Sequence, residues 1–209
     1  MNILVTAGPT REFLDDVRYL SNASSGLMGC ALAQAAVDAG HNVTLICGPI
    51  TCELPACDTL VPITSAAEMA RAVREQAPQA DVVIMAAAVA DYTPAERAPG
   101  KMKKTDGERV LRLKRTTDIL AELGGDKGER TLVGFALEAD NARGNAIRKL
   151  REKNLDLIIA NSPAAMGAGH SAVELIFASG QTETLADAPK TEIATHIIRA
   201  IESLKQREP

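Results

Sequence analysis

Aromatic side chains are scarce in this sequence: they make up 2% of its 209 residues, and tryptophan is absent. A surface that stacks nucleic-acid bases needs aromatic side chains, and a general nucleic-acid surface also needs a basic balance. The formal net charge is −4, so neither requirement is met. We therefore expect no nucleic-acid partner. The hydrophobic share of 46% predicts a core of aliphatic and alanine residues.

Long apolar runs are also missing. No stretch approaches the length that spans a membrane, and no secretory h-region precedes the first predicted strand. The sequence thus predicts a cytoplasmic protein with no membrane partner. Its length suits a single domain over residues 1–209, long enough to bury a sizeable core.

Neither the cysteines nor the histidines form a recognisable metal-binding or catalytic motif. Three of the four cysteines are evenly spaced, but there is no CxxC pair and no neighbouring histidine. We interpret them as structural thiols in a reducing compartment and assign no metal ligand. The histidines are scattered and predict no catalytic triad. The residues concerned are Cys30, Cys47, Cys52, Cys57, His41, His170 and His196.

The first forty residues read as strand, loop and helix in succession. Residues 2–6 form a short β-branched apolar run, and apolar residues recur at helical spacing from Met28 onwards. The loop between them, about twenty residues, is far longer than an ordinary strand-to-helix connection. A long, polar, glycine-bearing loop at the carboxyl end of a first strand normally holds a ligand.

The end of that loop favours an anion. Ser24, Ser25 and Gly26 lead into the helix, where unpaired backbone N–H groups and the helix dipole attract phosphate. Gly26 and Gly29 carry no Cβ and would let the backbone approach a ligand closely. The alternative is that a serine only caps the helix and the glycines only ease packing. The spacing matches neither a dinucleotide fingerprint nor a P-loop, so the chemistry alone predicts a nucleotide or phosphate site.

Strand and helix patterns alternate along the rest of the chain, which indicates an α/β fold. Ser65 stands three residues before Glu68, a capping-box signature at a helix start. Strands are predicted at residues 41–47, 81–90, 109–114, 131–137 and 155–160, with a hairpin over 171–186 that turns at Gly180. Helices are predicted at residues 65–76, 117–123, 142–153 and 190–205.

The run 81–90 is the most apolar in the chain and predicts a central strand. It delivers Asp91 to the carboxyl edge of the sheet, where α/β proteins place their ligands. After it, residues 93–106 are rich in proline and lysine and lack an apolar period, which predicts a mobile loop.

Two groups of lysines have two interpretations each. Lys101, Lys103 and Lys104 either form a solvated basic loop or belong to a lid that closes over the anion site. Lys149 and Lys153 are four residues apart on one helix face. They are either solvated or positioned to reach one phosphate chain.

Seven motifs follow one another along the chain: TAGPTRE, VRYLSNASSGLMG, AAAVADY, KMKK, TDIL, GFALE and RKLREKNLD. Together they resemble bacterial phosphopantothenoylcysteine synthetase, a coenzyme A biosynthesis enzyme often fused behind a flavin-dependent decarboxylase. The resemblance covers essentially the whole chain. It implies a homodimer with a Rossmann-like fold: a doubly wound, mostly parallel sheet with helices on both faces and a C-terminal β-hairpin.

The same resemblance implies a reaction and its residues. CTP and Mg²⁺ would activate 4′-phosphopantothenate as an acyl-cytidylate, from which cysteine displaces CMP to give 4′-phosphopantothenoylcysteine. Asn22 would hold the acyl group with Arg18 nearby, and these two with Lys101 are the predicted catalytic residues. With the anion loop included, the predicted nucleotide-binding positions are Gly8, Ser24, Ser25, Gly26, Ala87, Asp91, Lys101, Thr117, Asp118, Ile119, Leu120, Phe135, Lys149 and Lys153. Mg²⁺ is expected mainly through the CTP phosphates.

The sequence departs from the family pattern at three places. Asp16 stands where proline is usual, and Leu27 stands where lysine is usual. Thr116 and Thr117 replace a common Asn-Pro before Asp118, beside a nucleotide contact. The preference for CTP over ATP is therefore open, as is whether a decarboxylase is a fused or a separate partner.

Two other classes of function compete with this interpretation. An NAD(P)-dependent reductase on the same fold would need a GxGxxG fingerprint after the first strand. It would also need an acidic residue at the end of the second strand, where Gly48 and Pro49 stand instead. A non-catalytic nucleotide-binding subunit would keep the phosphate loop but would not need the lysine lid together with Asn22.

Overall fold

An eight-stranded sheet with helices on both faces makes up most of the molecule. The structure is a computed structural model and describes residues 1–104, 106–137, 141–161 and 169–207, without the side chains of Ala142 and Arg207. Its strands are β1 (Asn2–Ala7), β2 (Glu12–Phe13), β3 (Tyr19–Leu20), β4 (Asn42–Cys47), β5 (Thr59–Pro62), β6 (Val82–Met85), β7 (Tyr92–Pro94), β8 (Leu113–Arg115), β9 (Thr131–Leu137), β10 (Leu157–Asn161), β11 (His170–Phe177) and β12 (Thr182–Pro189). Its helices are α1 (Leu27–Asp38), α2 (Ala66–Gln76), α3 (Ile119–Gly125), α4 (Ala142–Glu152) and α5 (Lys190–Arg207), with a 3₁₀ turn at Ala77–Gln79.

The strand order of the large sheet is β5-β4-β1-β6-β9-β10-β11-β12. The strands from β5 to β10 are parallel, and their order reverses beside β1 as in a doubly wound sheet. β11 runs antiparallel to β10 and forms a hairpin with β12. The predicted Rossmann-like fold with a C-terminal hairpin is thus confirmed. The pairs β2–β3 and β7–β8 form small ribbons outside this sheet.

The core lies in two layers, one on each face of the sheet. Alternate residues of β1 serve the two layers, since Ile3 and Val5 face one and Leu4 faces the other. The first layer is covered by α1 and α5, and the second by α2, α3 and α4. None of the helices in the described ranges is both long and apolar enough to cross a membrane.

Two helix starts follow the predicted capping chemistry. The Ser65 hydroxyl accepts a hydrogen bond from the Glu68 N–H at 3.2 Å, and the Glu68 carboxylate accepts one from the Ser65 N–H at 3.3 Å. This capping box begins α2 as predicted. Asp118 caps α3, where its carboxylate accepts from the Ala121 N–H at 3.1 Å.

The central strand is shorter than predicted, and one strand was missed. β6 ends at Met85 rather than at residue 90, because the following backbone turns towards the chain that leaves β1. There the Ala88 N–H donates to the Gly8 carbonyl at 2.9 Å. The missed strand is β5, Thr59–Pro62, whose mostly exposed residues give no clear apolar pattern.

Candidate functional site

A cleft of about 170 Å³ lies where β6, β9 and β10 end and α1 begins. β12 runs in the same direction as the parallel strands, so the residue after it, Lys190, reaches this edge as well. Five predicted nucleotide-binding residues line the cleft: Ser24, Ser25, Gly26, Ala87 and Phe135. The full lining is residues 24–29, residues 86–88, Phe135, Leu137, Asn161 and Lys190.

The first turn of α1 borders the cleft without a side-chain cap. The N-cap residue is Gly26, in the left-handed region with φ 81°, and no side chain bonds to the turn that follows. The Ser24 hydroxyl accepts only from the Gly26 N–H, at 3.3 Å. A serine cap, the alternative for this sequence, is therefore not the arrangement found. An uncapped helix start leaves N–H groups and the positive end of the helix dipole for an anion.

The glycines of this region serve internal packing, and the approach of a ligand to Gly26 and Gly29, which both line the cleft, stays a prediction. A Cβ on Gly29 would lie 2.5 Å from the Ala7 Cβ, so α1 can pack closely on β1 only without it. A Cβ on Gly26 would lie 2.5 Å from the Ile50 side chain and 3.3 Å from the Gly8 Cα. Gly8 is buried and has φ 79°, so a side chain there would be both strained and blocked.

Asn22 is tied into the loop by both ends of its side-chain amide. Its Nδ2 donates to the Ala88 carbonyl at 2.7 Å, and its Oδ1 accepts from the Ser24 N–H at 3.0 Å. These bonds join the loop after β1 to the segment after β6, at the border of the cleft. A primary amide has a second N–H and a second lone pair, so Asn22 keeps capacity for one further donor and one further acceptor contact.

Arg18 and Asp15 hold the predicted lid at Met102. The buried Asp15 carboxylate accepts from the N–H groups of Val17 at 2.8 Å, Arg18 at 2.7 Å and Met102 at 3.0 Å. The Arg18 guanidinium lies 3.3 Å from this carboxylate and donates to the Met102 carbonyl at 2.5 Å. Burial raises the pKa of Asp15. The N–H groups of Val17, Met102 and Arg18 and the charge of Arg18 lower that pKa more strongly, to about 2.

The rest of the lid segment is bound less tightly. The Ala98 N–H donates to the Leu14 carbonyl at 2.9 Å, and Arg97 pairs with Asp16 at 2.8 Å. Asp16 is one of the departures from the family pattern, and here it adds an ion pair to the segment. Lys101 is exposed and stands outside the lining of the cleft, next to the tethered Met102.

A second cluster of predicted nucleotide residues lies between α3 and α4. The Lys153 Nζ lies 2.9 Å and 2.8 Å from the two oxygens of Asp118. Burial raises the pKa of Asp118, but the hydrogen bond from Lys153, the N–H of Ala121 and the charges of Lys153 and Lys149 lower it overall. Because the Asp118 side chain is 54% exposed, this pair contributes little to folding stability. The pair positions Lys153.

The remaining predicted positions have different surroundings. Asp91 and Thr117 are exposed, whereas Ile119 is buried in the core. Leu120 packs against Gly134 of β9, where a Cβ would meet its Cδ2 at 2.9 Å. The structure thus divides the predicted residues into the cleft, the Asp118 cluster, the Arg18 tether and these separate positions.

Two residues of the cleft were missed by sequence reasoning. Lys190 is 8% exposed, and burial lowers its pKa. The Asn161 Oδ1 is buried, and no group in the described part of the chain donates a hydrogen bond to it. A signal for Lys190 was present: a lysine at a helix start opposes the helix dipole and usually needs another reason to be there. Asn161 carried no signal, since an asparagine after a strand is common in turns.

Three free cysteines lie together beside the anion loop: Cys30 of α1 is close to Cys47 and Cys52, which follow it by 17 and 22 residues. The Cys52 Sγ lies 3.8 Å from the Cys30 Sγ and 3.5 Å from the Ser25 carbonyl. A hydrogen bond to Cys47, followed by burial, raises the pKa of the Cys30 thiol. Within the described ranges, no group of three histidine, cysteine or acidic side chains is arranged to hold a metal ion.

The fold and the cleft define a doubly wound α/β protein whose candidate ligand site lies at the start of its first helix. A family model described as the DNA/pantothenate metabolism flavoprotein C-terminal domain matches residues 1–204. The chain belongs to this family, which confirms the family resemblance of its motifs.

Two curated proteins are similar to this chain over nearly its whole length. The chain is 44% identical to the coenzyme A biosynthesis bifunctional protein CoaBC of Bacillus subtilis over 211 residues, which cover 99% of this chain and 52% of that protein. It is also 44% identical over 208 residues to a cysteine/cysteine sulfinic acid decarboxylase from an unknown prokaryotic organism, covering 97% and 58%. It thus spans about half the length of these curated relatives.

Among solved structures, the C-terminal domain of a coenzyme A biosynthesis bifunctional protein CoaBC is similar, with a TM-score of 0.86 and 38% identity. The match covers 99% of this chain and 96% of that domain. Family membership therefore extends from the motifs to the three-dimensional fold.

Proposed function

We propose that this chain is a phosphopantothenate–cysteine ligase of coenzyme A biosynthesis that uses CTP. The observation that carries this proposal is the near end-to-end match to the C-terminal domain of CoaBC, at 38% identity. The position of the cleft supports it, because doubly wound proteins bind nucleotides and phosphates beside the carboxyl ends of their strands. The predicted residues around the cleft are the ones that this reaction would need.

The reaction proceeds in two steps. The carboxylate of 4′-phosphopantothenate attacks the α-phosphorus of CTP, which forms an acyl-cytidylate and releases pyrophosphate. The cysteine amine then attacks the acyl carbon, the bond to CMP breaks, and the amine loses a proton to solvent. Both steps build negative charge on oxygen, so positioned donors and cations matter more than covalent chemistry by the protein.

The residues around the cleft suit these two steps. The uncapped first turn of α1 offers N–H groups to phosphate oxygens. Asn22 would donate its remaining N–H to the acyl oxygen, where charge develops in the second step. Lys101 would approach the phosphates with the segment that Arg18 and Asp15 hold. Lys149 and Lys153 would contact the nucleotide.

Mg²⁺ enters this proposal only through the nucleotide. The described residues contain no group of three side chains arranged to hold a metal ion, so no protein ligand is assigned and no step depends on one. When bound to the phosphates of CTP, the ion would neutralise part of their charge.

The assay uses the purified chain with 4′-phosphopantothenate, L-cysteine, CTP and Mg²⁺. We expect CMP, pyrophosphate and 4′-phosphopantothenoylcysteine in equal amounts, detected by mass spectrometry, and pyrophosphate without coupling when cysteine is omitted. A reaction with ATP in place of CTP tests the effect of Thr116 and Thr117 on base preference. Turnover that does not depend on nucleotide would contradict the proposal.

The same assay distinguishes the competing functions. Release of CO₂ from cysteine without nucleotide would favour the activity named for the second relative. Oxidation of NADPH would favour a reductase. The structure gives an argument against that function: the acidic side chain that a reductase needs after β4 has no room at Gly48, where a Cβ would lie 1.9 Å from the Pro9 carbonyl oxygen. Nucleotide binding without product would favour a non-catalytic subunit.

We further propose a cytoplasmic homodimer that works with a flavin-dependent phosphopantothenoylcysteine decarboxylase, fused or separate. This extends the name of the bifunctional relative, of which the chain spans 52%. The product of the ligase carries the cysteine carboxylate that such a decarboxylase would remove.

A further inference from the structure

The loop between β4 and β5, residues 48–58, packs against the loop that leads into α1. A Cβ on Gly26 would lie 2.5 Å from the Ile50 Cγ2, so the two loops are in direct contact there. Two residues further on, the Cys52 S–H donates to the Ser25 carbonyl at 3.5 Å. Because Ser25 and Gly26 line the cleft, a movement of the β4–β5 loop changes the support of the backbone that borders the ligand site.

Cys52 faces a second thiol across this contact. Its Sγ lies 3.8 Å from the Sγ of Cys30 on α1, and both cysteines are free. Cys30 is only 7% exposed, whereas Cys52 is half-buried between the exposed Thr51 and Glu53. A small molecule from solvent therefore reaches Cys52 first. A disulfide bond holds its sulfur atoms about 2 Å apart, so the two atoms need to approach each other by roughly 2 Å.

The other two thiols are placed differently. Cys47 is 4% exposed and donates to the Gly48 carbonyl at 3.3 Å, so solvent hardly reaches it. Cys57 is half-buried like Cys52, but its Sγ donates to the Thr59 carbonyl at 3.4 Å. The pair of Cys52 and Cys30 therefore combines an accessible thiol with a buried thiol in contact with it.

We propose that Cys52 and Cys30 form a site of reversible thiol–disulfide exchange with low-molecular-weight disulfides such as cystine, the disulfide of cysteine. The Cys52 thiolate attacks one sulfur of cystine, the S–S bond breaks, and one cysteine leaves as a thiolate that takes up the proton lost by Cys52. Cys30 then attacks the Cys52 sulfur of this mixed disulfide, and the second cysteine leaves with the Cys30 proton. The two protein thiols lose two electrons, and cystine is reduced to two cysteines.

The choice of cystine rests on the proposed ligase function, whose substrate cysteine carries a free thiol that oxidising conditions convert to cystine. The disulfide takes the Cys52 S–H away from the Ser25 carbonyl and draws the β4–β5 loop towards α1. The oxidised chain therefore binds phosphate-bearing ligands more weakly while its substrate is oxidised. Burial, followed by the neighbouring Cys30, raises the pKa of Cys52, so its thiolate is scarce near neutral pH and the exchange responds to lasting oxidising conditions.

The first test locates the bond. The full chain is incubated with cystine, the remaining thiols are alkylated, and the protein is cleaved with endoproteinase Asp-N. This protease cuts before Asp38, which separates Cys30 from the other three cysteines. We expect one disulfide-linked pair of fragments, in which tandem mass spectrometry places the link between Cys30 and Cys52. Excess cysteine should split it again.

Two variants isolate the two steps. Cys30→Ala should stop at the mixed disulfide, seen as a protein whose mass has increased by one bound cysteine. Cys52→Ser keeps a hydroxyl that can donate to the Ser25 carbonyl and should form no link. Cys57→Ser is the matched control from the same loop and should be oxidised like the wild type.

The second test measures the effect on the cleft. Calorimetry with inorganic pyrophosphate and with CTP should show binding about 3- to 10-fold weaker after oxidation of the wild type, and restored by reduction. Cys52→Ser should bind each ligand equally before and after cystine. An oxidised wild type with unchanged affinities would overturn the proposed effect on the ligand site.

Other outcomes would overturn the exchange site itself. A link between other cysteines, or no link after long incubation, would remove it, and a mixed disulfide that persists on the wild type would remove Cys30 from the reaction. If the linked pair forms and weakens pyrophosphate binding, but the reduced chain does not couple cysteine with CTP, the ligase proposal fails while the exchange site stands. If the reduced chain is an active ligase and no link forms, only the inference fails.

Discussion

The side-chain amide of Asn22 makes two hydrogen bonds within the protein, and both hold the loop that borders the cleft. An aspartate there would lose the bond to the Ala88 carbonyl and set a carboxylate against that oxygen. We expect Asn22→Asp to lower the free energy of unfolding by about 1–3 kcal/mol and to weaken CTP binding together with coupling. Thermal unfolding and calorimetry measure both effects.

The control for this change is Asn42→Asp. Asn42 is exposed at the start of β4, where its amide bonds only to the Asn2 side chain at 3.2 Å. Its replacement should leave stability and binding near wild type. An Asn22→Asp protein that melts normally, binds CTP and makes acyl-cytidylate, but fails to couple cysteine, would contradict the expected role of the two internal hydrogen bonds and leave only the proposed contact of Asn22 with the acyl oxygen.

Asp15 gives a pH dependence whose sign follows from its lowered pKa. A carboxyl group with a pKa of about 2 in the folded protein and an ordinary value of 3.8 favours folding while it is ionised. That contribution is complete above about pH 4 and is lost as the pH falls towards 2. We expect the melting temperatures of wild type and Asp15→Asn to differ at pH 7 and to converge between pH 4 and pH 2.

The same substitution should release the lid segment at neutral pH. The asparagine NH₂ group would face the Met102 N–H, which now donates a hydrogen bond to the carboxylate. Two donors cannot bond to each other, so Met102 would lose its tether. Trypsin should then cut faster after Lys101 and Lys103 than in the wild type. Asp16→Asn is the control, because Asp16 is exposed and pairs with Arg97, away from the Met102 tether. Equal cleavage rates in both variants would contradict the tether.

At the scale of secondary-structure elements, the close contact of α1 with β1 depends on Gly29. A Cβ there would lie 2.5 Å from the Ala7 Cβ and 2.8 Å from its Cα, so helix or strand would have to move. We expect Gly29→Ala to lower the free energy of unfolding by about 1–3 kcal/mol. Urea denaturation measures this loss. It should also weaken ligand binding, since the start of α1 borders the cleft.

Gly125→Ala is the matched control for that prediction. Gly125 lies at the end of α3, and a Cβ there would meet no atom within 4 Å. Alanine has the better helix propensity, so this variant should be unchanged or more stable by up to about 1 kcal/mol. Similar losses at both positions would mean that helix propensity, not the contact with β1, sets the effect.

The elements differ in how far the sequence determines them. The parallel strands other than β5 and the C-terminal hairpin were predicted, because uninterrupted apolar runs and the turn at Gly180 depend on local sequence. The end of β6 was not, because Ala86 and its successors leave the sheet to bond with the chain after β1. β5 was missed because a mostly exposed edge strand has no apolar pattern to reveal it.

The candidate site shows the same division between local and distant information. Ser24, Ser25 and Gly26 could be predicted because the loop and the helix start are adjacent in sequence. The placement of Lys190 and Asn161 in the cleft could not, since it depends on the register of β10, β11 and β12; the lysine at a helix start was a signal that Lys190 is special, but not of where it lies. Asn22 and Asp15 also each have one hydrogen-bond partner far along the chain, 66 and 87 residues away respectively, which no local pattern reveals.

At the scale of the whole molecule, an arm formed by β7, β8 and the residues 110–112 just before β8 carries exposed apolar side chains. Val110 is 87% exposed, and Tyr92, Leu111 and Leu113 are between 43% and 48% exposed. Exposed apolar groups of this kind mark association surfaces. We expect sedimentation to show a dimer, and the double variant Val110→Asp, Leu113→Asp to shift it to monomer. Leu60→Asp, at a 43% exposed position of the edge strand β5, should remain dimeric. A dimeric arm variant would place the interface elsewhere.

The packing of α5 on α1 also has a consequence for how the protein is made. Ile193, Ile197 and Ile201 of α5 belong to the same core layer as Ala33 and Ala36 of α1, yet residues 39–189 separate the two helices. A ribosome adds roughly 5–20 residues per second, so α1 waits on the order of ten seconds for its partner. During that interval the nascent chain exposes one apolar face of its sheet. Chaperones that bind such faces would therefore meet this protein before its last helix has left the ribosome.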